Sequence, residues 1–319
     1  MLKRLLLAGL IAAGAEAEGP KYFKVPAGKH GEFPAYVPGG PSKETPCPLL
    51  VAFHGSGDTA GNFLDCLKGL ADMGPFAILA PEGAGKYADG FDWDNFPDRG
   101  ATVESAIRAL LQAHPEVDPK RVVWLGHSTG SYVCCEDGAS RPSMCAGIVL
   151  NVAQTVALSC SPKAPKPRVA LFMGTEDFNF QAYSGHRDSL KSSKGPFSIN
   201  QVKGQGHALV DLAYLAAAVH WVLESEGANE ENVLPKEPPG NRSCRHLLIP
   251  LGKRTADAAR KEAQKTMDAM KKEKPEKWKG KGEPLSSEEP LLKWACWTVP
   301  KDAIRLVRSP EGFHLVWAD

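Results

Sequence analysis

Short apolar runs alternate with amphipathic stretches along the first two-thirds of the chain. Residues 49–53, 76–80, 122–125, 147–152 and 169–173 are brief, rich in branched or large apolar side chains, and bounded by Gly, Pro or His. Such runs predict buried strands. Between them lie helical patterns such as 102–113, where Val103, Ile107, Leu110 and Leu111 share one face. Strand–helix alternation predicts right-handed βαβ units and a mostly parallel sheet with helices on both faces, an α/β fold. Residues 21–25 and 32–37 predict an antiparallel pair at the edge of that sheet.

Beyond residue 224 the texture changes. Residues 224–243 are polar and contain Pro235, Pro238, Pro239 and Gly240, which predicts a linker over 225–243. A strand-like 247–249 follows, then a helix over 255–272 with Ala256, Ala259, Ala263, Met267 and Met270 on one face. After a stretch rich in Lys, Gly and Pro come the apolar 292–299 and a hairpin of 304–307 with 313–317, turning at Ser309-Pro310-Glu311-Gly312. The pattern therefore predicts a large α/β unit over 18–224 and a small α+β unit over 244–319. The excess of Lys and Arg between Lys253 and Lys281 fits a solvated helix face and loop.

Composition narrows the classes. With 319 residues, 43% hydrophobic and 24% charged, the chain is neither disordered throughout nor fibrous. Lys and Arg total 38 against 37 Asp and Glu, so no global field draws it onto nucleic acid or an acidic membrane. No apolar run reaches the ~20 residues of a membrane helix. At the N-terminus, Lys3 and Arg4 precede an apolar run over 5–13 and the small-residue exit Ala15-Glu16-Ala17. This pattern predicts a signal peptide over 1–17, cleaved after Ala17, and a secreted or periplasmic protein with no integral membrane segment after cleavage. The eight cysteines (Cys47, Cys66, Cys134, Cys135, Cys145, Cys160, Cys244 and Cys296) then predict disulfides, in a pairing the sequence leaves open. Cys244 and Cys296 could staple the small unit. No Cys-x-x-Cys pair or Cys/His cluster has zinc spacing.

The chemistry sits at the ends of the predicted strands. Gly126-His127-Ser128-Thr129-Gly130 follows the strand 122–125 and precedes a helical stretch. Gly-x-Ser-x-Gly in that context holds a serine hydroxyl clear of the sheet on a turn that only glycine admits on either side. A free serine is a weak nucleophile and needs a histidine base oriented by a carboxylate. After the strand 169–173 comes Gly174-Thr175-Glu176-Asp177, and after the strand-like 197–202 comes Gly204-Gln205-Gly206-His207, leading into a helix over 208–222. Ser, Asp and His on successive strand-end loops is the triad order of the α/β-hydrolase fold. Ser128 is the nucleophile, His207 the base and Asp177 the acid, with Glu176 its competitor. The oxyanion needs two preset donors: the backbone N–H of Thr129, and that of Ser56 or Gly57 in His54-Gly55-Ser56-Gly57. Gly55-x-Gly57-x-x-x-Gly61 lacks both the Rossmann spacing and the Lys-Ser/Thr of a phosphate loop. Trp93 and Phe96, in a loop placed to overhang the site, could bind an aromatic or sugar-bearing acyl group or serve loop packing.

Residues 20–224 resemble the secreted α/β-hydrolase esterases grouped with polyhydroxybutyrate depolymerases and feruloyl esterases. The resemblance rests on His54-Gly55-Ser56-Gly57 with Asn62-Phe63, on Asp118-Pro119-Lys120-Arg121-Val122 leading into Gly126–Gly130, on Gly174-Thr175-Glu176-Asp177 and on Gly206-His207. It implies a serine esterase acting on a small-molecule or polymer-derived ester through an acyl-enzyme, with no metal or organic cofactor. Thr129 stands where that group often has Asn or Met. The tail faintly resembles the two ends of a parvulin-type prolyl isomerase domain, through Arg245-His246-Leu247-Leu248-Ile249 and Gly312-Phe313-His314-Leu315-Val316. That likeness implies a second reading: an exported folding factor or binding protein whose tail is the working part.

Overall fold

The computed structural model describes residues 21–39, 41–73, 76–224, 230–231, 244–250, 256–273, 277–278, 281–284, 304–308 and 312–318. The expected leader, the apolar run 292–299 with Cys296, and residues 309–311 of the predicted turn lie outside them. In chain order the first unit runs β1 (Lys21–Pro26), β2 (Glu32–Val37), β3 (Cys47–Phe53), α1 (Ala60–Met73) and β4 (Ala77–Leu79). It continues through β5 (Gly85–Tyr87), β6 (Gly90–Asp92), α2 (Arg99–Ala113), β7 (Val117–His127), α3 (Gly130–Val133) and β8 (Gly147–Asn151). It ends with β9 (Arg168–Gly174), α4 (Tyr183–Ser193), β10 (Phe197–Val202), α5 (Leu212–Glu224) and β11 (Glu230–Glu231).

These strands form one sheet in the order β1-β2-β4-β3-β7-β8-β9-β10-β11, with β5 and β6 as a separate hairpin. From β4 to β11 every pairing is parallel, while β1–β2 and β2–β4 are antiparallel, as the edge pattern predicted. All seven residues of β3 are buried, because each face carries its own apolar layer. Leu49, Val51 and Phe53 join Val122 and Trp124 of β7, Ile148 and Leu150 of β8, and Val103, Ile107 and Leu110 of α2. The intervening Leu50 and Ala52 join Val123, Leu125 and Phe172, beneath Leu64 and Leu67 of α1 and Leu215 and Val219 of α5. Successive strand side chains point to opposite faces, so a strand covered on both sides reads as an unbroken apolar run.

Three expectations need correction. The predicted linker over 225–243 is not wholly outside the sheet, since Glu230 and Glu231 pair with Ser198 and Ile199 as an added edge. The helix expected over 208–222 is α5, which starts at Leu212, because Ala208 and Val210 bond to the Asn151 side chain instead of to a helical turn. Six of the eight cysteines (Cys47, Cys66, Cys134, Cys135, Cys145 and Cys160) are free thiols.

The tail forms a four-stranded sheet, β13-β12-β15-β14, from β12 (Cys244–Pro250), β13 (Glu283–Pro284), β14 (Arg305–Arg308) and β15 (Gly312–Ala318). Helix α6 (Ala256–Lys271) sets Met267 and Met270 against Trp278, Ile304, Leu315 and Trp317. Cys244 and Val316 instead join the apolar layer of α1 and α5. No described helix is long and apolar enough to cross a membrane.

Trp124 is the largest side chain at the centre of the main sheet. It is fully buried, stacks on Phe53 with ring centroids 4.9 Å apart, and donates its indole N–H to the Met144 carbonyl at 2.8 Å. Trp124→Ala is expected to lower stability by about 3–5 kcal/mol, read as a fall in the urea midpoint at unchanged slope. A loss under about 1 kcal/mol would show that the sheet face repacks around the gap.

Candidate active site

The strand β7 delivers Ser128 into a turn that its neighbours make possible. Ser128 has φ +51°, left-handed backbone that side chains other than glycine rarely adopt. A Cβ at Gly126 would sit 2.5 Å from the Gly130 carbonyl oxygen and the Ser131 backbone. One at Gly130 would overlap the Phe53 carbonyl of β3. The turn is held by Ser128 N–H donating to the Asn151 carbonyl at 3.0 Å and by the Ser131 hydroxyl donating to the Gly126 carbonyl at 2.9 Å. After one turn of α3 the helix widens into a π turn over Cys134–Gly138.

The three residues expected to form the triad meet. His207 Nδ1 lies 2.8 Å from Asp177 Oδ2, and His207 Nε2 lies 2.9 Å from Ser128 Oγ. An ionised carboxylate only accepts, so the imidazole proton sits on Nδ1 and leaves Nε2 free to accept from the serine hydroxyl. Asp177 is 5% exposed and its other oxygen accepts the Asn179 N–H, so the carboxylate is fixed at both atoms. Glu176 is exposed, and its backbone N–H bonds to the Gln205 carbonyl. Of the two carboxylates, Asp177 is the one that meets His207.

The Ser56 and Thr129 N–H groups have no backbone partner among the described residues, whereas Gly57 N–H donates to the Phe91 carbonyl at 3.0 Å. Gly57 is thus corrected from oxyanion donor to turn residue: its φ of +83° shapes the loop. The side chains of the two remaining donors are also joined. Ser56 Oγ lies 3.1 Å from Thr129 Oγ1 and 2.9 Å from Asp92 Oδ2. Ser56 Oγ is the donor at both contacts, so its one hydrogen is shared between the Asp92 carboxylate and the Thr129 hydroxyl. These contacts link Ser56 and Thr129 to the end of β6.

Trp93 and Phe96 are corrected as well. They are 3% and 5% exposed and belong to the core rather than to a substrate surface. Trp93 packs on Phe53 and His54 and donates to the His54 carbonyl at 2.9 Å, and Phe96 packs on His30. The side chains near the site that the sequence pattern did not single out are Phe178, Tyr87 and His127. Phe178 is 65% exposed with its ring 4.2 Å from that of His207, and Tyr87 is exposed beside Gly57. Only adjacency to Asp177 could have pointed to Phe178. His127 Nδ1 lies 2.8 Å from Asn151 Nδ2. Its pKa falls to about 4, chiefly through burial and then through the neighbouring His207. Burial pushes the thiols of Cys134, Cys135 and Cys145 up, that of Cys135 to about 12, so no thiolate from them competes with Ser128 near neutrality. Among the described residues no group of three or more His, Cys, Asp or Glu could hold a metal ion.

The buried histidines set an acid limit to stability. His127 and, in the tail, His314 are both held neutral to about pH 4, His314 by burial and then by His246. Unfolded histidine takes its proton near pH 6.5. Between those values the unfolded chain binds more protons, so stability is full above pH 6.5 and is lost as pH falls towards 4. For His127 the loss is about 3 kcal/mol. The urea midpoint is expected to fall across that window and to fall less in His127→Gln. An unchanged dependence in the variant would remove His127 from the account.

The arrangement agrees with what the chain resembles. Residues 49–304 match the sequence profile of the alpha/beta hydrolase family. No curated protein sequence matches the chain. Among solved structures, S-formylglutathione hydrolase from Staphylococcus aureus superposes with a TM-score of 0.51 at 15% identity, over 66% of this chain and 98% of that one. Fluorophosphonate-binding serine hydrolase F of the same organism gives 0.49 at 15% identity, over 65% and 100%. A carboxylesterase from Mesorhizobium loti gives 0.47 at 18% identity, over 65% and 100%. The first of these carries the likeness in fold. With the family profile spanning most of the chain and the sheet order and strand-end loops in place, the chain belongs to the alpha/beta hydrolase family.

Proposed function

We propose that this protein is a secreted or periplasmic serine esterase that cleaves carboxylic esters through a covalent acyl-enzyme. The observation that carries this reading is the hydrogen-bond chain Ser128 Oγ–His207–Asp177, which ends beside two N–H groups with no backbone partner, at Ser56 and Thr129. His207 Nε2 takes the proton as Ser128 Oγ attacks the ester carbonyl, and the negative charge that develops is met by those N–H groups. As the tetrahedral adduct collapses, His207 returns the proton to the departing alkoxide. Water then repeats the sequence on the acyl-enzyme and releases Ser128. Asp177 keeps the imidazole in the required tautomer and steadies its positive charge.

Export, cleavage after Ala17 and division into 18–224 and 244–319 joined by 225–243 belong to the same proposal. So does a Cys244–Cys296 disulfide, supported because Cys244 is the described cysteine that is not a free thiol. A second reading, the tail as a folding factor, keeps one specific support. His246 and His314 stand on adjacent strands with Nδ1 atoms 2.9 Å apart and rings stacked at 7°.

A fluorophosphonate probe separates the readings. Prompt labelling of Ser128, identified on the modified peptide, is the expected result, and absence of labelling would favour the tail. Ser128→Ala is expected to reduce hydrolysis of a short aryl ester on the order of 10⁴-fold or more without unfolding the protein. Asp177→Asn should cost about 10⁴-fold in kcat. A larger loss in Glu176→Gln would reassign the acid.

A further inference from the structure

Asn151 ends β8, opposite His127 in the parallel pairing with β7, and is fully buried. Every hydrogen-bonding atom of its side chain is used. Nδ2 donates to the Ala208 carbonyl at 3.0 Å and to His127 Nδ1 at 2.8 Å, and Oδ1 accepts the Val210 N–H at 3.1 Å. Its own backbone carbonyl accepts the Ser128 N–H. The amide can face only one way, because turning it would set its N–H groups against the Val210 N–H and its oxygen against the Ala208 carbonyl. His127 Nδ1 must then accept, so that ring carries its proton on Nε2.

We propose that Asn151 is a positioning residue that sets the alignment of Ser128 Oγ with His207 Nε2. One residue grips the nucleophile's backbone, the residue before the nucleophile and the segment immediately after the base. Ser128 and His207 arrive from different strands, and no covalent path shorter than the whole of 129–206 relates them. A hydrogen bond of 2.9 Å between them needs a rigid cross-link between their loops. Asn151 makes that link from the strand that lies between β7 and β9. The inference rests on the serine-esterase reading of the same site.

The experiment compares Asn151→Ala and Asn151→Asp with the parent protein. It measures the second-order rate of fluorophosphonate labelling, with kcat and KM on a short aryl ester, in samples whose circular dichroism shows them folded. Misplacement on the ångström scale costs about 100-fold, so Asn151→Ala should lose about that factor in both labelling rate and kcat, with KM little changed. Asn151→Asp keeps the shape and the acceptor for Val210 but lacks the hydrogens that face Ala208 and His127. Acid supplies a hydrogen at that contact, on the carboxyl or on His127 Nδ1. The ratio of Asn151→Asp to parent labelling rate should therefore rise as pH falls from 8 to 5, which a merely structural role would not produce. Folded variants that label at the parent rate would overturn the proposal. If neither variant folds, ¹⁵N NMR of the parent decides: the proposal requires neutral His127 protonated on Nε2 at pH 6 and falls with an Nδ1–H or doubly protonated ring. Failure of the parent itself to label at Ser128 would count against the esterase reading, and the His127 spectrum would still test the Asn151 geometry.

Discussion

A hydroxyl can stand clear of a sheet covered on both faces only if the chain reverses within a few residues of a strand's end. Here that reversal presses β7, the start of α3 and the end of β3 together. Gly126 and Gly130 supply the missing side chains, and Ser128 takes the left-handed backbone at φ +51°. The local conformation is unfavourable. It persists because β3, buried throughout, and the buried 122–126 part of β7 on either side of the close approach cannot yield without opening both apolar layers. The core therefore supplies the rigidity that the Ser128 turn requires.

The polar groups around the turn follow from the same constraint. Loops that leave neighbouring parallel strands at one end must satisfy their backbone groups from each other, since no helix or ladder is available to them. Asn151 and Asp177 do so with side chains, each bonding at more than one atom. His127, beside Ser128, is kept neutral by burial, so positive charge does not accumulate next to His207. The contact between the Ser56 and Thr129 hydroxyls ties together two residues whose N–H groups have no backbone partner among the described residues.

The tail has its own apolar cluster around Met267, Met270 and Trp317, yet Cys244 and Val316 are buried in the layer that α1 and α5 share with the main sheet. A small sheet that encloses few large side chains gains by lending part of its surface to a larger core. The added edge strand Glu230–Glu231 points the same way, because part of the polar segment after α5 joins the main sheet.

The fold class and the three residues that meet at the strand ends, Ser128, His207 and Asp177, were legible in the sequence because both are local patterns. Buried parallel strands need unbroken apolar runs such as 49–53, and Gly-x-Ser-x-Gly, Thr-Glu-Asp and Gly-His sit at the strand ends where the chemistry needs them. The choice of Asp177 over Glu176 followed position alone; in the structure Asp177 is buried and Glu176 exposed. Tertiary structure decided what depends on meeting across the sheet. Gly57 lost its donor role because its N–H is taken by Phe91, on a hairpin that no periodicity marked. Trp93 and Phe96 turned inward, since an aromatic in a polar loop reads the same whether it packs or binds. Asn151 gave no signal, being one polar residue at the end of an apolar strand. Its partners, His127, Ala208 and Val210, lie up to 59 residues away, and only the packed sheet brings them within reach of its amide.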